Sequence, residues 1–366
     1  MEVPAPTRTI HVIEPTLTGE QGHCLGLVRR LCEQAPQLRM ELWIGRGARV
    51  PALDKLGVQV HLHFFRRLRN LQLLPLYRRL LRSDGRILVS TAGRTHLVVL
   101  GWAARGLIPP NKAYLYFHWL RLDPRKTAVM RRLAREQPNV VVLGTTRMIE
   151  RELRGLGFRN AAFAPYPATM SVEGTDLPLI PFRHVLFAGA ARMDKGFRHI
   201  VELVAKLEEW QETLAASVQV SGDHFDKLDA AARAEIQRLT GLRYPYLSIH
   251  SDTMTATTYA ECFSGGICLQ PYDRGEYADR ASGVTLDALV AGCPVVTVSG
   301  TWMAHLVNRF DAGIVVEEPT PSALREAIRR IIAAYPHYQR NARIGGETLR
   351  QELSATALID LLSRTE

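Results

Sequence analysis

Residues 185–197 read VLFAGAARMDKGF and contain the strongest fold signal in the chain. An apolar strand run leads into the small-residue turn that begins at Gly189, and a helical pattern follows. A strand that passes through a tight turn into a helix is the building unit of α/β proteins. Arg192 and Lys195 stand where that helix begins, although a helix dipole disfavours cations there. Their position favours a bound anion such as a diphosphate; the alternative is an exposed basic turn with Asp194 as partner.

The same alternation of strand-like and helix-like segments fills the chain on both sides of residues 165–182. That segment, PYPATMSVEGTDLPLIPF, holds four prolines and is interpreted as a linker between domains. The pattern predicts an α/β protein with two Rossmann-like, doubly wound domains that face each other across a cleft. The predicted domains are 1–170 and 171–345, with a C-terminal helix at 346–366 as a candidate for packing back on the first domain. A length of 366 residues suits two domains.

Composition and charge exclude several classes of protein. Apolar residues make up 46% and charged residues 22%, so the chain is neither disordered nor fibrous. Five cysteines without metal-like spacing argue against a disulfide framework or a zinc site. The opening residues do not resemble a signal peptide, and the apolar stretch at 95–109 is too short to cross a bilayer. We therefore expect a soluble, cytoplasmic protein.

The charge is distributed unevenly. Residues 1–176 carry 27 basic and 13 acidic side chains, whereas residues 177–366 carry 19 and 23. A basic first half suggests contact with a polyanion: nucleic acid, a phosphorylated molecule or an anionic lipid surface. Nucleic acid is not expected, because no RNA- or DNA-binding motif accompanies the charge.

The loop and helix at residues 270–296 add a second candidate ligand site. Ser282 and Gly283 are expected to begin a helix whose free N–H groups suit an anion. Asp279 precedes that helix and Asp287 lies within it, so the two carboxylates suit the hydroxyls of a sugar or ribose beside a phosphate. The alternative is that Asp279 caps the helix and Asp287 is solvated.

Three further loops follow strands in the first half. Gly19, in TLTGEQGH (16–23), allows a ligand to approach the backbone, or forms only a tight turn. His118 ends the apolar run YLYFHWLR (114–121) and is a candidate general acid/base, or a buried and satisfied histidine. Arg94 and His96, in STAGRTH (90–96), are candidate acceptor contacts, or caps of the sheet.

In these motifs the chain resembles retaining glycosyltransferases of family 4, which have the GT-B fold. The likeness lies in the Arg192-to-Lys195 step and in the eight-residue step from Asp279 to Asp287, followed by A-x-x-x-G-x-P-V-V. The family has Glu at both acidic positions and E-G-F-G where this chain has D-R-A-S. The resemblance implies a hexosyltransferase-like enzyme that acts with retention, without a metal or other cofactor, in cell-surface polysaccharide or glycolipid synthesis. The implied partners are a nucleotide-sugar donor and a glycan or lipid-linked acceptor.

The resemblance also implies roles for individual residues. Arg192 and Lys195 would contact the donor diphosphate, Asp279 the transferred sugar and Asp287 the ribose, while His118 would be the cleft histidine. The implied donor-binding residues are Gly19, Gly189, Arg192, Lys195, Ser282, Gly283, Val284 and Asp287.

Residues 64–83, FFRRLRNLQLLPLYRRLLRS, interleave apolar residues with arginines. Basic amphipathic helices are typical of peripheral membrane elements, so an anionic membrane at the inner face is a further candidate partner. The alternative is a solvated arginine face on a helix that packs on the core. Pro75 is expected to break the segment in two. The rival functions are a nucleotide-sugar epimerase, a non-catalytic sugar-nucleotide binder and a basic nucleic-acid-binding protein.

Overall fold

A computed structural model of the protein describes residues 9–364 other than 18, 20–22, 168–177, 222–227 and 252–253. The chain forms two compact units. Unit 1 comprises Met1–Thr169 and Leu353–Glu366, and unit 2 comprises Met170–Glu352. Most of the proposed linker lies outside the described residues.

The described part of unit 1 is built on a parallel sheet of seven strands. These are β1 (Thr9–Glu14), β2 (Arg39–Gly45), β3 (Gln59–Phe64), β4 (Arg86–Val89), β5 (Ala113–Phe117), β6 (Val141–Gly144) and β7 (Asn160–Phe163). The helices between them are α1 (His23–Gln34), a 3₁₀ helix (Pro51–Leu56), α2 (Arg69–Leu81), α3 (Arg94–Ala104), α4 (Pro124–Glu136) and α5 (Arg147–Gly155). The strand order is β3-β2-β1-β4-β5-β6-β7. Cores lie on both faces of the sheet, as expected for central strands whose residues are mainly apolar.

The described part of unit 2 repeats this plan with six parallel strands. These are β8 (His184–Phe187), β9 (Ala216–Gln219), β10 (Leu247–His250), β11 (Gly266–Gln270), β12 (Val295–Val298) and β13 (Gly313–Val316). Its helical segments are a 3₁₀ turn (Met193–Lys195), α6 (Phe197–Glu209), α7 (Ala230–Thr240), α8 (Ala256–Glu261), α9 (Arg274–Tyr277), α10 (Gly283–Val290), α11 (Trp302–Phe310), α12 (Pro321–Ala333) and α13 (Tyr335–Glu352). The order β10-β9-β8-β11-β12-β13 matches that of unit 1. The predicted α/β class with two doubly wound sheets is confirmed.

The C-terminal segment returns to unit 1 as α14 (Thr356–Ser363). Leu358 and Leu362 are buried in the core that also contains Ile10. Arg86 of β4 is buried, and its guanidinium donates to the carbonyl oxygen of Leu362 at 2.6 Å. A cation that satisfies the last carbonyls of a helix stabilises its C-terminus, so Arg86 anchors α14 to the sheet. The segment 346–366 is thus divided between the end of α13 and α14.

Helix α2 corrects one prediction. It runs without interruption through Pro75, so the predicted break is wrong. Pro75 removes one backbone hydrogen bond, but the burial of Leu73, Leu76 and Leu80 on the core side holds the helix together. The apolar face of α2 therefore packs inside unit 1, as the alternative interpretation of residues 64–83 has it.

The strand order fixes where a ligand site can form. In both sheets the direction of winding reverses once, between β1 and β4 in unit 1 and between β8 and β11 in unit 2. The loops that leave the carboxyl ends of two such strands diverge and leave a crevice, where doubly wound sheets bind ligands. We call these two places the first and second switch points.

Candidate functional site

At the second switch point, the loops after β8 and β11 are locked together. The backbone N–H of Asp273 donates to the carbonyl oxygen of Asp194 at 3.0 Å. Gly196 has a φ of +69°, and a Cβ there would lie 1.9 Å from the carbonyl oxygen of Pro271. Only glycine fits such a close approach of two backbones, so residues 188–196 are held against the loop that precedes α10.

Lys195 extends back over the glycine turn after β8. Gly189 has a φ of +98°, and a Cβ there would lie 2.8 Å from Lys195 Nζ and 3.6 Å from a methyl group of Val284. The ring of Tyr272 is centred 5.8 Å from Nζ. Burial, with repulsion from Arg192, lowers the pKa of Lys195 to about 8. No described residue hydrogen-bonds or ion-pairs with this ammonium group. An anionic ligand could therefore supply the close partner that its charge lacks.

Arg192 lies beside Lys195 and is paired with Asp194. Its Nε donates to Asp194 Oδ1 at 2.8 Å, and its Nη2 contacts the other carboxylate oxygen. Burial disfavours the charge of Arg192, but Asp194 outweighs it and raises the pKa. The same carboxylate faces Arg280, whose Nη1 lies 3.5 Å from Asp194 Oδ2. Asp194 is thus the partner of Arg192, as in the alternative interpretation of an exposed basic turn. The pair is not fully solvated, however, since the Arg192 side chain is 35% exposed and that of Asp194 is 19% exposed.

Helix α10 begins where the sequence predicts it. Ser282 is the N-cap, and its Oγ accepts a hydrogen bond from the N–H of Thr285 at 3.4 Å. The hydroxyl of Thr285 donates to Gln270 Oε1 at 2.7 Å, which ties the first turn to the end of β11. Gly283 is exposed. The amino end of α10 is therefore fixed in place with its first residue open to solvent, as anion binding requires.

The two aspartates have different environments. Asp287 is only 7% exposed, and Tyr259 O–H donates to its Oδ2 at 3.1 Å. Burial and the Asp287 charge raise the pKa of Tyr259, which therefore keeps its proton. Asp287 is consequently not the solvated carboxylate of the alternative interpretation. Asp279 is half-buried in the bend between α9 and α10 and is not the cap of α10.

The first switch point is organised around a carboxylate. Glu14, at the end of β1, is 1% exposed. It accepts hydrogen bonds from the N–H of Thr16 at 3.2 Å and from the hydroxyl of Ser90 at 2.8 Å. His118 donates from Nε2 to the carbonyl oxygen of Ser90 at 2.8 Å, because a carbonyl can only accept. The His118 ring also packs against Tyr166, with centroids 5.2 Å apart.

The other candidates in unit 1 are less organised. His96 Nδ1 accepts from the N–H of Gly93 at 3.1 Å, and burial lowers its pKa, so His96 caps α3 as a neutral ring. Arg94 is exposed at the first position of α3. Gly19 is half-buried with open space around it, and most of its loop lies outside the described residues. Its role as a donor contact stays a prediction.

The described ranges offer neither a cluster of metal ligands nor a membrane-spanning helix. Among those residues, no group of three His, Cys, Asp or Glu side chains is arranged to hold a metal ion. None of the described helices has an apolar stretch long enough to span a bilayer.

Sequence reasoning missed three residues at the switch points. Arg280 follows Asp279 directly, but an isolated arginine in a loop matches no pattern. Tyr259 is too distant in sequence from Asp287 for the two to be paired by spacing. Glu14 carried a usable signal, since it is a polar residue at the end of an apolar strand, as His118 is.

Comparison with known proteins places the fold. No protein-family model matches the chain, and no curated protein sequence matches it either. Among solved structures, HepE of Anabaena in complex with UDP-glucose has a TM-score of 0.70 at 14% identity, with 97% of this chain and 98% of that chain covered. Sucrose-phosphate synthase from Thermosynechococcus elongatus has a TM-score of 0.68 at 17% identity, with 97% and 98% covered. WaaG, a glycosyltransferase involved in lipopolysaccharide biosynthesis, has a TM-score of 0.64 at 14% identity, with 97% and 100% covered. The chain therefore has the architecture of the GT-B glycosyltransferases.

Proposed function

We propose that the protein is a glycosyltransferase that moves a sugar from a nucleotide-sugar donor to an acceptor, with the donor bound at the second switch point. The observation that carries the proposal is Lys195, a half-buried ammonium group held over the turn at Gly189 beside Arg192. The bound UDP-glucose in HepE, a protein of similar architecture, supports the choice of donor class.

The proposed chemistry follows from where charge develops. When the bond between the anomeric carbon and the diphosphate breaks, negative charge accumulates on the leaving phosphate and positive character on the sugar. In this proposal Lys195, Arg192 and the N–H groups at Gly283 and Val284 stabilise the leaving phosphate. Because Asp194 holds Arg192 and Ser282 caps the first turn of α10, these groups would need little reorganisation in the transition state.

The remaining roles extend this proposal. Asp287, held by Tyr259, would accept hydrogen bonds from the ribose hydroxyls, and Asp279 would contact the transferred sugar. Ser282 would act through its cap of α10. We assign His118 to the acceptor side as a hydrogen-bonding group, with Arg94 and His96 as acceptor contacts. Retention at the anomeric carbon and membership of family 4 belong to the same proposal and rest on the motif resemblance.

The test is acceptor-dependent release of UDP from UDP-glucose and a panel of other nucleotide sugars. Arg192→Ala and Lys195→Ala should each lower turnover at least tenfold, since one preorganised donor is typically worth on the order of 10²- to 10³-fold in rate. Lys206→Ala is the matched control, because Lys206 lies on α6 and pairs on the surface with Glu209. Near wild-type turnover in both site variants would contradict the proposal.

We propose further that the acceptor is lipid-linked and that unit 1 meets an anionic membrane through the β3–α2 corner. This surface comprises the exposed side chains of Arg46, Leu62, Phe65, Arg66, Arg67, Leu68 and Leu71. Arg46 lies 4.4 Å from the centre of the Phe65 ring. Apolar side chains among arginines suit the interface of an anionic bilayer, where each cation contributes about 1 kcal/mol. The neighbour WaaG acts in lipopolysaccharide biosynthesis, which is consistent with such an acceptor.

Sedimentation with phosphatidylglycerol and phosphatidylcholine vesicles tests this surface. The wild type should bind the anionic vesicles, and the double variant Arg66→Gln, Arg67→Gln should bind them severalfold more weakly. Equal and negligible binding to both vesicle types would remove the membrane proposal and leave the transferase proposal intact.

Two observations favour a second candidate, a non-catalytic sugar-nucleotide binder. Arg192 is already paired with Asp194, and Asp279 is one methylene shorter than the glutamate of the resembled family. Such a protein would bind a nucleotide sugar at the second switch point and release no nucleotide with any acceptor. Tight donor binding together with no nucleotide release above background across a panel of acceptors would favour it.

A further inference from the structure

Arg280 lies where the two loops of the second switch point meet. It follows the bend after α9 and contacts Asp194, which belongs to the other loop, at 3.5 Å. Its guanidinium group stacks over the ring of Tyr277, with 4.9 Å between the guanidinium carbon and the ring centre. Both side chains of the pair are 19% exposed. Arg280 is therefore held by contacts with residues of both loops rather than extended freely into solvent.

The charges around this contact include three cations. Arg192 and Arg280 share the carboxylate of Asp194, and Lys195 lies close enough to feel the repulsion of both guanidinium groups. Asp194 is the carboxylate that both guanidinium groups contact. Grouping cations in a half-buried place is costly unless an anion joins them, so the cluster fits a ligand with more than one negative charge.

We propose that Arg280 is a third diphosphate-binding residue of this chain, beside Arg192 and Lys195. The inference rests on the proposed function, because it assigns Arg280 to the same donor site. A guanidinium group has five N–H donors, so it can hold Asp194 with one edge and a phosphate with another. With both guanidinium groups on the carboxylate of Asp194, an N–H group of each would reach the two phosphoryl groups together with the Lys195 ammonium.

Calorimetric titration with UDP and with inorganic pyrophosphate tests the inference on the full chain. Arg280→Ala should weaken both ligands about tenfold, as expected for a hydrogen bond to a charged group. Arg280→Lys keeps the charge but loses the planar fork, and it should lie between Arg280→Ala and the wild type. Arg274→Ala is the matched control: Arg274 begins α9 and pairs with Glu318 at 3.0 Å on the surface, so its loss should leave binding within about twofold.

The outcomes separate this inference from the proposed function. If the wild type binds UDP and Arg192→Ala weakens it, but Arg280→Ala and Arg280→Lys both bind as the wild type does, Arg280 is not a binding residue. If the wild type binds neither UDP nor pyrophosphate, the proposed donor site is itself wrong. If Arg280→Ala does not fold, Arg280→Lys still tests the inference. Wild-type affinity for both UDP and pyrophosphate in Arg280→Lys would exclude a role for the guanidinium fork.

Discussion

The two switch points have the same strand order and opposite chemistry. At the first, β1 ends in Glu14, a buried carboxylate whose oxygens accept hydrogen bonds from Thr16 and Ser90. At the second, β8 ends in a glycine turn under the ammonium group of Lys195, beside Arg192. A carboxylate repels a phosphate and desolvated cations attract one, so the local geometry supports the proposal of an anionic ligand in unit 2.

The distribution of charge along the chain would instead suggest that unit 1 binds the anion. Residues 1–176 hold 27 basic and 13 acidic side chains, yet the switch point in that half is acidic. The excess arginines lie mostly on helix surfaces and loops, where salt screens them. The net charge of one half therefore bears on its attraction to extended charged surfaces. The charge preference of a binding site depends instead on the few charged groups that are desolvated there.

The largest effect is expected from Lys195→Met. Removing the ammonium group should weaken UDP binding by on the order of 10²-fold and turnover by at least as much. The same change should stabilise the free protein at pH 7, because the folded chain no longer has to bury that charge. Between pH 8 and the unfolded-state pKa of 10.5, Lys195 is neutral in the folded chain and protonated in the unfolded chain. The free energy of unfolding of the wild type, relative to that of the variant, should therefore rise with pH in this range.

Chemical denaturation from pH 7 to 10.5, with UDP titrations at pH 7, checks both parts. Lys206→Met, on the surface of α6, is the control and should change neither quantity appreciably. A Lys195→Met protein that is less stable than the wild type would make Lys195 a structural residue and would remove the contrast between the switch points.

The next effect is expected from Gly189→Ala. A side chain at a φ of +98° is strained, and its Cβ would lie 2.8 Å from Lys195 Nζ, so the ammonium group must move. We expect UDP affinity to fall about tenfold and stability to fall by about 1 to 3 kcal/mol. Gly57→Ala is the control, with a φ of +66° and open space around it. It should cost stability alone; equal affinities in both variants would show that the turn does not position Lys195.

Glu14→Gln tests the other half of the comparison. The neutral amide disturbs the hydrogen bonds with Thr16 and Ser90 in a buried place, which should cost about 1 to 2 kcal/mol of unfolding free energy. UDP affinity should stay as in the wild type. Loss of UDP binding in a folded Glu14→Gln protein would extend the donor site to unit 1.

The smallest effect concerns pH on the acid side. Burial lowers the pKa of His11 and of His63 in unit 1 below 6.5. The unfolded chain therefore binds protons that the folded chain rejects, and stability should fall as the pH drops below 6.5. His63→Gln should reduce this fall in denaturation curves between pH 5 and 7. An unchanged slope would mean that His63 titrates normally.

The sequence predicts the framework of unit 2 best. Four of its six strands, β8, β11, β12 and β13, are short runs of mainly apolar or β-branched residues, and β8 and β12 are marked by Gly189 and Pro294. In unit 1, the strand signal of β7 is weak because Asn160–Phe163 is short and contains two alanines, which have little strand preference. Helix α9 has four residues and is too short to show a helical period.

The residues of the candidate site also differ in how well the sequence predicts them. Gly189, Arg192, Lys195, Ser282 and Gly283 could be singled out because they belong to strand–turn–helix units whose spacing is local. Arg280 and Tyr259 could not, because their partners come from other loops and only the fold brings them together. The apolar residues of 64–83 were hard to place for a related reason: an amphipathic helix has the same pattern whether its apolar face meets a core or a membrane.

Proton uptake on UDP binding tests the central claim most directly. Near pH 8 about half of the Lys195 side chains in the free protein are neutral, and a diphosphate held against Nζ would protonate them. Titrating UDP at pH 8 in two buffers of different ionisation enthalpy should therefore show an uptake of up to about half a proton, which is absent in Lys195→Met. Binding with no proton uptake, or with the same uptake in the variant, would show that the diphosphate does not lie against Lys195.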